Sequence, residues 1–373
     1  MAVDRTPGDR PELYIGLMSG TSLDGVDAVL ADLSTDTPRV VAHAHRPFSH
    51  DLRDELWALT APGADEIERA GAAAQQLADL YAHCVADVLQ RADYAPADIL
   101  AIGAHGQTVR HRPAAGYSIQ LNAPARLAEL TQIDVVADFR SRDLAAGGQG
   151  APLVPAFHAA AFAADRPRAV VNIGGISNIT FLPGESQALI GFDCGPGNLL
   201  LDAWATQQRA EPFDRNGAFA AAGRPDSELL ARLLAEPFLA LPPPKSTGRE
   251  LFSRAWLAHA LAGTPPSPED VQRTLTEFTA RCIGTAIQRW CAPASEVVAC
   301  GGGVRNATLM TALAQAVAPR RLIASSALGI EPDQVEALAF AWLAQRCLRR
   351  ETGNVPAVTG ARGARVLGAI YPR

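Results

Sequence analysis

Two segments of the chain share one order of apolar and small polar residues. Residues 13–33 hold two alternating apolar runs on either side of the small-residue segment SGTSLDG. Residues 169–182 repeat this order around the segment GGISN. Alternation of apolar and polar positions is typical of a strand with one buried face. The pattern therefore predicts a β-hairpin in each segment, the first with an unusually long turn, and indicates that the two halves of the chain are distant copies.

Helical periodicity appears between and after these hairpins. From residue 65 to 91, Leu77, Tyr81, Val85 and Leu89 recur every four residues and place one apolar stripe along a helix. Continuous apolar runs in DVVADF and EVVACGGGV predict buried strands. Further strands are predicted in ILAIGAHGQTV and YSIQLN. Further helices are predicted at PARLAELTQ and over residues 226–235, 251–262, 267–290 and 333–349.

Composition narrows the class of protein. With 373 residues, 48% hydrophobic and 19% charged, the chain has enough apolar surface for two or three domains. A net charge of −6 excludes a broad basic surface, so we expect no nucleic-acid partner. The N-terminal residues lead into no apolar core of signal-peptide length, and the apolar stretch 152–164 is too short to span a bilayer. We therefore expect a cytoplasmic protein without a membrane segment.

Cysteine usage fits the same location. The six cysteines show no C-x-x-C pairing, and no histidine stands at zinc-ligand spacing from them. This predicts free thiols in a reducing compartment, with neither disulfides nor a structural zinc.

Three glycine-rich turns, each directly after a predicted strand, are candidates for phosphate binding. They are SGTSLDG at Ser19–Gly25, GGISN at Gly174–Asn178 and GGGVRN at Gly301–Asn306. Successive backbone N–H groups in a tight turn form a concavity for phosphate oxygens, and small residues let a ligand approach the backbone. A single such turn is equally well an ordinary hairpin turn, but three at similar positions favour phosphate binding. None has the spacing of a P-loop or of a dinucleotide-binding fold.

Two aspartates lie in or near these turns. Phosphoryl transfer needs magnesium held through carboxylates and water, and a group that positions or deprotonates the nucleophile. Asp24 lies within the first turn, where its alternative role is to cap that turn. Asp193 in GFDCGPGN follows a strand and precedes a helix, where its alternative role is helix capping. We expect both carboxylates to lie near a polyanion and its metal.

Three further side chains stand out by their surroundings. His105, between small residues after a buried strand, is predicted either to contact a substrate or to be a structural histidine. Lys245 is the only lysine, and a solvated side chain is expected there, with a specific partner as the alternative. Glu336 lies among Ala, Leu and Phe, either at the wet edge of its helix or directed into a site.

Eight segments along the chain carry the signature of a family: LMSGTSLDGVD, GAHGQTVRHRP, DFRSRDLAAGGQGAPLVP, NIGGISNIT, GFDCGPGN, PPKSTGRELF, CGGGVRN and PDQVEALAFAWL. Together they resemble the anhydro-N-acetylmuramic acid kinases, a bacterial branch of the sugar kinase, actin and heat-shock chaperone ATPase superfamily. Several segments are specific to this kinase family rather than to the superfamily. The departures are a longer N-terminus and Cys194, where a threonine or similar small residue is expected.

The resemblance implies an α/β fold of two ribonuclease-H-like domains, as in actin-like ATPases, around a nucleotide cleft. The first domain would comprise residues 1–137 and 355–373, because the apolar tail from Val366 is expected to dock back onto it. The second domain would comprise residues 138–354. The resemblance also implies a homodimer formed through the second domain.

The resemblance further implies a reaction. Family members phosphorylate the oxygen of the anhydro bridge with ATP while water opens that bridge, which gives N-acetylmuramic acid 6-phosphate and ADP in peptidoglycan recycling. Asp193 would be the general base that deprotonates the water, and Asp24 would bind Mg²⁺, directly or through water. The implied ATP-binding residues are Gly20, Thr21, Ser22, Leu23, Asp24, Gly25, Gly174, Gly175, Ser177, Asn178, Gly301, Gly302, Gly303 and Asn306. The implied substrate-binding residues are Glu336, His105, Gln107, Thr108, Gly148 and Gln149.

The lactyl carboxylate of such a substrate calls for a positive partner. The loops at residues 105–110 and 147–149 are the candidates for the sugar site. Arg110, Arg140 and Arg142 are the candidates to pair with the carboxylate.

Three alternatives stay open at this point. A conventional sugar kinase would use Asp193 to deprotonate a sugar hydroxyl instead of a water. A partner-driven, actin- or chaperone-like ATPase would phosphorylate no small acceptor, but the chain has no spare length for a peptide-binding domain. A glycosidase would open the anhydro sugar with paired carboxylates and without phosphate loops, which the three glycine-rich turns disfavour.

Overall fold

The computed structural model describes residues 11–20, 22–184, 188–248, 250–263 and 266–373. The chain divides into two compact units. Unit 1 comprises the described residues up to Ala161 together with Gln334–Arg373, and unit 2 comprises the described residues of Phe162–Asp333. Each unit has its own β-sheet.

Strands and helices alternate along both units, which confirms the predicted α/β class. The strands are β1 Leu13–Met18, β2 Gly25–Asp32, β3 Arg39–Pro47, β4 Ile99–Ala104, β5 Gln107–Arg112, β6 Tyr117–Leu121, β7 Val135–Ala137, β8 Arg168–Ile173, β9 Ile176–Leu182, β10 Ile190–Pro196, β11 Glu296–Cys300, β12 Arg321–Ala324 and β13 Ala369–Tyr371. The α-helices are α1 His50–Ala58, α2 Glu66–Ala92, α3 Pro124–Thr131, α4 Ser141–Ala145, α5 Val154–Phe162, α6 Leu199–Arg209, α7 Ala218–Ala221, α8 Ser227–Leu234, α9 Arg254–Ala260, α10 Pro268–Trp290, α11 Ala307–Val317, α12 Val335–Leu348 and α13 Pro356–Thr359.

The sheet of unit 1 has the strand order β13-β7-β4-β1-β2-β3. Strand β1 runs antiparallel to β2 and parallel to β4, and β4 runs parallel to β7. The long helix α2 packs on β2 and β3. Its predicted apolar stripe is confirmed, because Leu77, Tyr81 and Val85 are all buried.

The sheet of unit 2 has the strand order β10-β9-β8-β11-β12. Strand β8 runs antiparallel to β9 and parallel to β11, and β11 runs parallel to β12. This is the order and direction of β3-β2-β1-β4-β7 in unit 1. The same topology therefore occurs twice, as the ribonuclease-H-like prediction requires, and accounts for the repeated hairpin pattern. Helix α10 buries Phe278 and Ile283 in the core of this unit.

Helix α12 packs directly on the sheet of unit 1. A Cβ atom at Gly16 of β1 would lie 1.8 Å from the carbonyl oxygen of Ala337. A Cβ atom at Gly103 of β4 would lie 2.0 Å from that of Phe340. Because both obstructing atoms are backbone, only glycine allows this close approach of helix and sheet.

The boundaries of the units differ from the division drawn on the sequence. Residues 138–161 and 334–354 lie in unit 1, whereas the sequence assigned both to the second domain. For 334–354 the reason is the packing of α12, whose Gln345 also donates from Nε2 to the Leu33 carbonyl at 2.8 Å. The sequence of a helix does not indicate which sheet it packs on when the strands of that sheet lie hundreds of residues earlier in the chain.

Some predicted elements are confirmed and others are corrected. Helices α2 and α10 lie within one residue of the predicted ranges 65–91 and 267–290. The segment ILAIGAHGQTV forms two strands, β4 and β5, rather than one. Gly106 interrupts it with a φ of 79°, and a Cβ there would lie 2.6 Å from the Leu121 carbonyl oxygen. In DVVADF only β7 is a strand.

All six cysteines are buried, and none forms a disulfide. In the part of the chain that the structure describes, no helix combines the length and the apolar character needed to cross a membrane. The same residues contain no group of three or more His, Cys, Asp or Glu side chains arranged to hold a metal ion.

Candidate active site

Asp193 lies on β10, where the pairing with β9 shifts register directly after it. Such a bulge redirects side chains out of the regular alternation of a strand. The backbone N–H of Asp193 donates to the Lys245 carbonyl at 3.0 Å, and its Oδ2 accepts from the Thr247 N–H at 2.9 Å. The N-cap of α6 is Asn198. Asp193 therefore caps no helix, and the capping alternative is wrong.

The carboxyl group of Asp193 binds its proton more tightly than an ordinary aspartate does. Burial raises the pKa of Asp193 to about 7. The Glu250 carboxylate also raises this pKa, whereas the Thr247 N–H and the Lys245 ammonium lower it. Burial outweighs the two favourable contacts because the charged form loses hydration. A carboxylate with a pKa near neutrality suits a general base, since it both takes up and releases protons at physiological pH.

The first glycine-rich turn, between β1 and β2, is tied to the interior of unit 1. The Oγ of Ser19 lies 2.9 Å from the hydroxyl of Tyr81 and donates to the Gly106 carbonyl at 3.2 Å. Gln107, predicted as a substrate contact, donates from Nε2 to the Gly20 carbonyl at 3.2 Å. Side chains outside the turn therefore determine where its backbone lies.

Among the described residues of this turn, Ser22 and Asp24 are exposed. The Oγ of Ser22 donates to Asp24 Oδ1 at 2.8 Å, so the Asp24 carboxylate contacts its own turn. Leu23 is buried with a φ of 56° and offers a ligand only its backbone. Gly25 begins β2, where a Cβ would lie 2.3 Å from the backbone of β3. Thr21 lies outside the described residues.

The second turn consists of Gly174 and Gly175, between β8 and β9. The N–H of Asn198 donates to the Gly174 carbonyl at 2.8 Å, and that of Gly197 donates to the Gly175 carbonyl at 2.9 Å. A Cβ at Gly197 would lie 2.2 Å from the Gly174 oxygen, so this contact needs glycine. The turn thus lies against the start of α6, where the N–H of Leu199 also donates to the Gly175 carbonyl at 3.1 Å.

The other residues predicted in this segment lie in β9 rather than in the turn. Ser177 is fully buried, and its carbonyl accepts from the Sγ of Cys194 at 3.3 Å. Asn178 is partly exposed and pairs with Asp193 across the two strands. Asn178 rather than Ser177 is therefore available to a ligand, and Cys194 fits the fold as a buried donor.

The third turn follows β11. Gly301 has a φ of 82°, which favours glycine. Gly303 and Asn306 are buried. The Oδ1 of Asn306 accepts from the Leu309 N–H at 2.9 Å, so this predicted nucleotide contact caps α11. Of the residues predicted to bind ATP in this turn, Gly302 is the exposed one.

His105 and Arg140 form a buried polar pair in unit 1. The Nη2 of Arg140 lies 2.8 Å from His105 Nε2, and its Nη1 donates to the Gly150 carbonyl at 2.7 Å. Because a guanidinium only donates, His105 Nε2 accepts, which places the ring proton on Nδ1. Burial and the Arg140 charge lower the pKa of His105 to about 3, so the ring is neutral at physiological pH. The ring packs on Phe340 with centroids 4.7 Å apart.

Glu336 lies in the first turn of α12, and its charge acts on Arg140 of the His105–Arg140 pair. Burial lowers the pKa of Arg140 to about 10, whereas the carboxylates of Glu336 and Asp143 raise it. The structure therefore brings two predicted substrate residues, His105 and Glu336, together around Arg140.

A cavity of about 270 Å³ opens beside His105. Thr108 lies on β5 next to it and accepts from Gln120 Nε2 at 3.1 Å. The polar side chains that line the cavity with His105 are Ser118, Gln120, Asn122, Asp138 and Ser141. This polar lining suits a ligand with several hydroxyl groups.

The structure also separates the three candidate arginines. Arg110 donates to the Glu66 carboxylate and to the Leu59 carbonyl, so its charge is already paired. Arg142 is exposed on α4. Of the three, Arg140 alone contacts His105, a predicted substrate residue.

The predicted loop residues Gly148 and Gln149 rest on a buried carboxylate that sequence reasoning missed, Asp143. A Cβ at Gly148 would lie 2.2 Å from Asp143 Oδ2, which also accepts from the N–H of the glycine at position 150 at 2.8 Å. Asp143 Oδ1 accepts from Asn354 Nδ2 at 2.6 Å and from Thr359 Oγ1 at 2.7 Å. The Gln149 N–H donates to the Thr359 carbonyl at 2.7 Å. The sequence signal that could have identified Asp143 is its position four residues before the glycine-rich run that begins at Gly147.

Asp143→Asn is expected to destabilise the protein by about 1–3 kcal/mol. An amide replaces one acceptor oxygen with NH₂, so a buried donor from either Gly150 or the Asn354 and Thr359 pair loses its acceptor. Urea unfolding measures the loss. Asp138→Asn is the control, because Asp138 is exposed and has a φ of 58°, which Asn tolerates. Equal stability of the two variants would contradict the role of Asp143.

Lys245 is buried rather than solvated, so the expected role is wrong. Only 7% of the surface of Lys245 is exposed to solvent. The Nζ donates to the carbonyls of Phe238 and Leu239 at 3.0 and 3.1 Å. Burial lowers the pKa of Lys245. The alternative, a specific partner, is therefore correct.

Comparison with known proteins extends the picture to the whole chain. The family model for anhydro-N-acetylmuramic acid kinase matches residues 12–373. A protein of that name from Cupriavidus pinatubonensis is 55% identical over 377 residues, covering 99% of this chain and all of the relative. One from Bordetella petrii is 56% identical over 373 residues, covering 98% of this chain and 97% of the relative. Among solved structures, component A of (R)-2-hydroxyglutaryl-CoA dehydratase from Acidaminococcus fermentans covers 88% of this chain and 96% of its own, with a TM-score of 0.48 and 14% identity. Since its relatives match it from end to end at more than half identity, the chain belongs to the anhydro-N-acetylmuramic acid kinase family.

Proposed function

We propose that this protein uses ATP to phosphorylate 1,6-anhydro-N-acetylmuramic acid and opens the anhydro bridge in the same reaction. The products are N-acetylmuramic acid 6-phosphate and ADP, a step of peptidoglycan recycling. Family membership supports the substrate and the reaction class. The observation that carries the chemistry is Asp193, a carboxylate at a strand bulge whose pKa is raised to about 7.

Asp193 is the proposed general base. Its carboxylate takes a proton from a water molecule while the water oxygen attacks the anomeric carbon. The bond between that carbon and the bridge oxygen breaks, and the bridge oxygen attacks the γ-phosphorus with ADP as the leaving group. The Thr247 N–H and the Lys245 carbonyl hold Asp193, so the carboxylate needs little reorientation during proton transfer.

The glycine-rich turns are the proposed ATP-binding elements. Gly174 and Gly175 suit phosphate oxygens, because a turn without side chains lets a ligand approach its backbone. Gly302 is the exposed backbone of the third turn. The oxygen atoms of Ser22 and Asp24 are ligands of the kind that Mg²⁺ prefers, and the ion would shield the phosphate charges when bound. Their exposure leaves room for the waters that Mg²⁺ retains.

The cluster of His105, Arg140 and Glu336 is the proposed sugar site. Arg140 carries the positive charge that the lactyl carboxylate requires. His105 lines the cavity beside Arg140, and its neutral ring is the proposed contact to the sugar. Glu336 supplies an acceptor for hydroxyl groups. Gly148 and Gln149 belong to the adjacent loop, which their N–H groups fix in place by donating to the Asp143 and Thr359 carbonyls.

The assembly and location follow from the same proposal. An ATP-dependent reaction fits the cytoplasmic location that the sequence predicts. The homodimer implied by the family resemblance is likewise part of the proposal, and light scattering of the purified protein tests it.

Product analysis tests the reaction itself. The protein is incubated with ATP, magnesium and the anhydro sugar, and the sugar is examined by mass spectrometry. The expected product has gained phosphate plus water. N-Acetylmuramic acid, N-acetylglucosamine, glucose and a reaction without sugar are the comparisons. Phosphate gained without water on an ordinary sugar would identify a conventional kinase, and ATP turnover without any sugar would identify a partner-driven ATPase.

The pH dependence gives an independent prediction. Asp193 acts as a base only when deprotonated, and burial raises its pKa to about 7. We therefore expect kcat/KM for the anhydro sugar to fall as the pH is lowered through this value, since kcat/KM reports the free enzyme. Initial rates over a pH series measure the fall. A rate that stays constant into the acidic range would contradict this assignment.

A further inference from the structure

The one lysine of the chain lies in the segment that contacts the proposed base. Its Nζ donates to two successive carbonyls, those of Phe238 and Leu239, at 3.0 and 3.1 Å. It also lies 4.6 Å from the centre of the Phe238 ring, a distance at which a cation is attracted to the ring face. These contacts lock residue 245 onto a neighbouring turn of unit 2.

The main chain of the same segment holds Asp193 at two points. The Lys245 carbonyl accepts from the Asp193 backbone N–H at 3.0 Å. Two residues later, the Thr247 N–H donates to Asp193 Oδ2 at 2.9 Å. The carboxylate is therefore held by segment 245–247, and the Lys245 ammonium connects that segment to Phe238 and Leu239.

We propose that Lys245 is a positioning residue for Asp193, whose ammonium anchors segment 245–247 to Phe238 and Leu239 and so holds the base in its reacting orientation. The inference rests on the proposed function, because it takes Asp193 as the base. A compact ammonium fits between two adjacent carbonyls, whereas a guanidinium is a wide planar fork. This explains a lysine in a chain whose other 32 Lys and Arg residues are all arginine.

The ammonium also acts on Asp193 through its charge. Lys245 lowers the pKa of Asp193, against the effects of burial and of Glu250. The groups that face Lys245 itself are Cys194, Cys282, Arg289 and Asp193. Burial raises the pKa of both thiols, so they are neutral near pH 7, and Lys245 is the cation acting on the base.

Lys245→Met tests both effects, because methionine keeps the apolar stem and removes the charge and the donors. We expect kcat to fall by roughly 10- to 100-fold, as for a slightly misplaced catalytic group. KM for ATP should stay near the wild-type value. The acidic limb of the pH profile, where kcat/KM falls as the pH is lowered, should move to higher pH. Lys245→Arg restores the charge and should return that limb toward the wild-type position. Wild-type kcat and an unmoved acidic limb in Lys245→Met would overturn the proposal.

A second measurement needs neither activity nor a stable Lys245 variant. Lysine isotope-labelled at Cε alone gives one carbon signal in this chain, so NMR observes Lys245 alone. We expect that signal to shift with pH around the midpoint of Asp193, about 7, and to lose this transition in Asp193→Asn. A wild-type signal that does not respond to Asp193 would overturn the proposal. If the transition is present while the product assay fails, the positioning contact stands and the proposed reaction falls.

Discussion

Asp193→Asn is expected to lower turnover of the anhydro sugar by roughly 10²- to 10⁴-fold, the usual contribution of a general base. The amide oxygen still accepts from the Thr247 N–H, so the loop stays in place, but an amide takes no proton from water. ATP binding should be largely intact, because Asp193 contacts no nucleotide in the proposed reaction. ADP release measures turnover, and calorimetric titration measures ATP binding. Most of the wild-type activity in the variant would remove Asp193 from the role of base.

The same substitution is expected to stabilise the folded protein at neutral and alkaline pH. The pKa of Asp193 is raised from 3.8 to about 7 on folding. The folded state therefore keeps its proton in a range where the unfolded chain has lost it, and wild-type stability falls as the pH rises through that window. Asparagine has no charge to bury. Allowing for the partial exposure of the side chain, the gain should be on the order of 1–3 kcal/mol above the window.

Unfolding as a function of pH measures this gain. It should vanish below pH 3.8, where the carboxyl is protonated in both states. Asp165→Asn is the matched control, because Asp165 is an exposed carboxylate of the same unit. A gain of equal size in both variants, or one that does not depend on pH, would show that burial of charge is not its cause.

Gly16→Ala is expected to destabilise the protein by roughly 3 kcal/mol or more. The new Cβ would lie 1.8 Å from the Ala337 carbonyl oxygen and 2.7 Å from the Ala341 nitrogen, both in the backbone of α12. Neither the central strand nor the helix can yield locally, so α12 must move as a whole. Because α12 carries Glu336, activity should fall together with stability. Urea unfolding and the product assay measure the two effects.

Gly71→Ala is the control for that substitution. Gly71 lies in α2, is exposed, and would place its Cβ with nothing within 4 Å. Alanine there should stabilise the protein by roughly 0.5–1 kcal/mol, because glycine is a poor helix former. A loss at Gly16 no larger than that of an ordinary strand substitution would contradict the close packing of α12 on β1.

The repeated hairpins show which elements a local sequence pattern can predict. Strand alternation and glycine turns predicted β1–β2 and β8–β9, because both signals depend on neighbours in sequence. The same signals missed β3, whose residues 39–47 mix charged and apolar positions at the edge of the sheet. They also joined β4 to β5, because the requirement for Gly106 comes from Leu121 on another strand.

For the candidate site too, the sequence predicted some of the residues and only the structure identified the others. The surroundings of Asp193, His105 and Glu336 in the sequence, and then the resemblance, pointed to these three residues, yet Arg140 became the favoured partner for the sugar carboxylate only once its contact with His105 was known. Gln107 and Asn306, predicted to bind ligands, each hold a backbone group in the structure. Residue type alone does not distinguish these uses, because the same side-chain donors and acceptors serve both.

By itself, the sequence determined the α/β class, the duplicated hairpin, the position of the long helices and the family, because periodicity, glycine turns and motifs are local features of a chain. Only the tertiary structure decided that α12 belongs with the first sheet, that Asp143 holds the loop after it together with Thr359, 216 residues away, and that Lys245 is buried against two carbonyls. Those outcomes depend on which distant surfaces meet and which polar groups lose water when they do. A local pattern does not contain that information until the chain has folded.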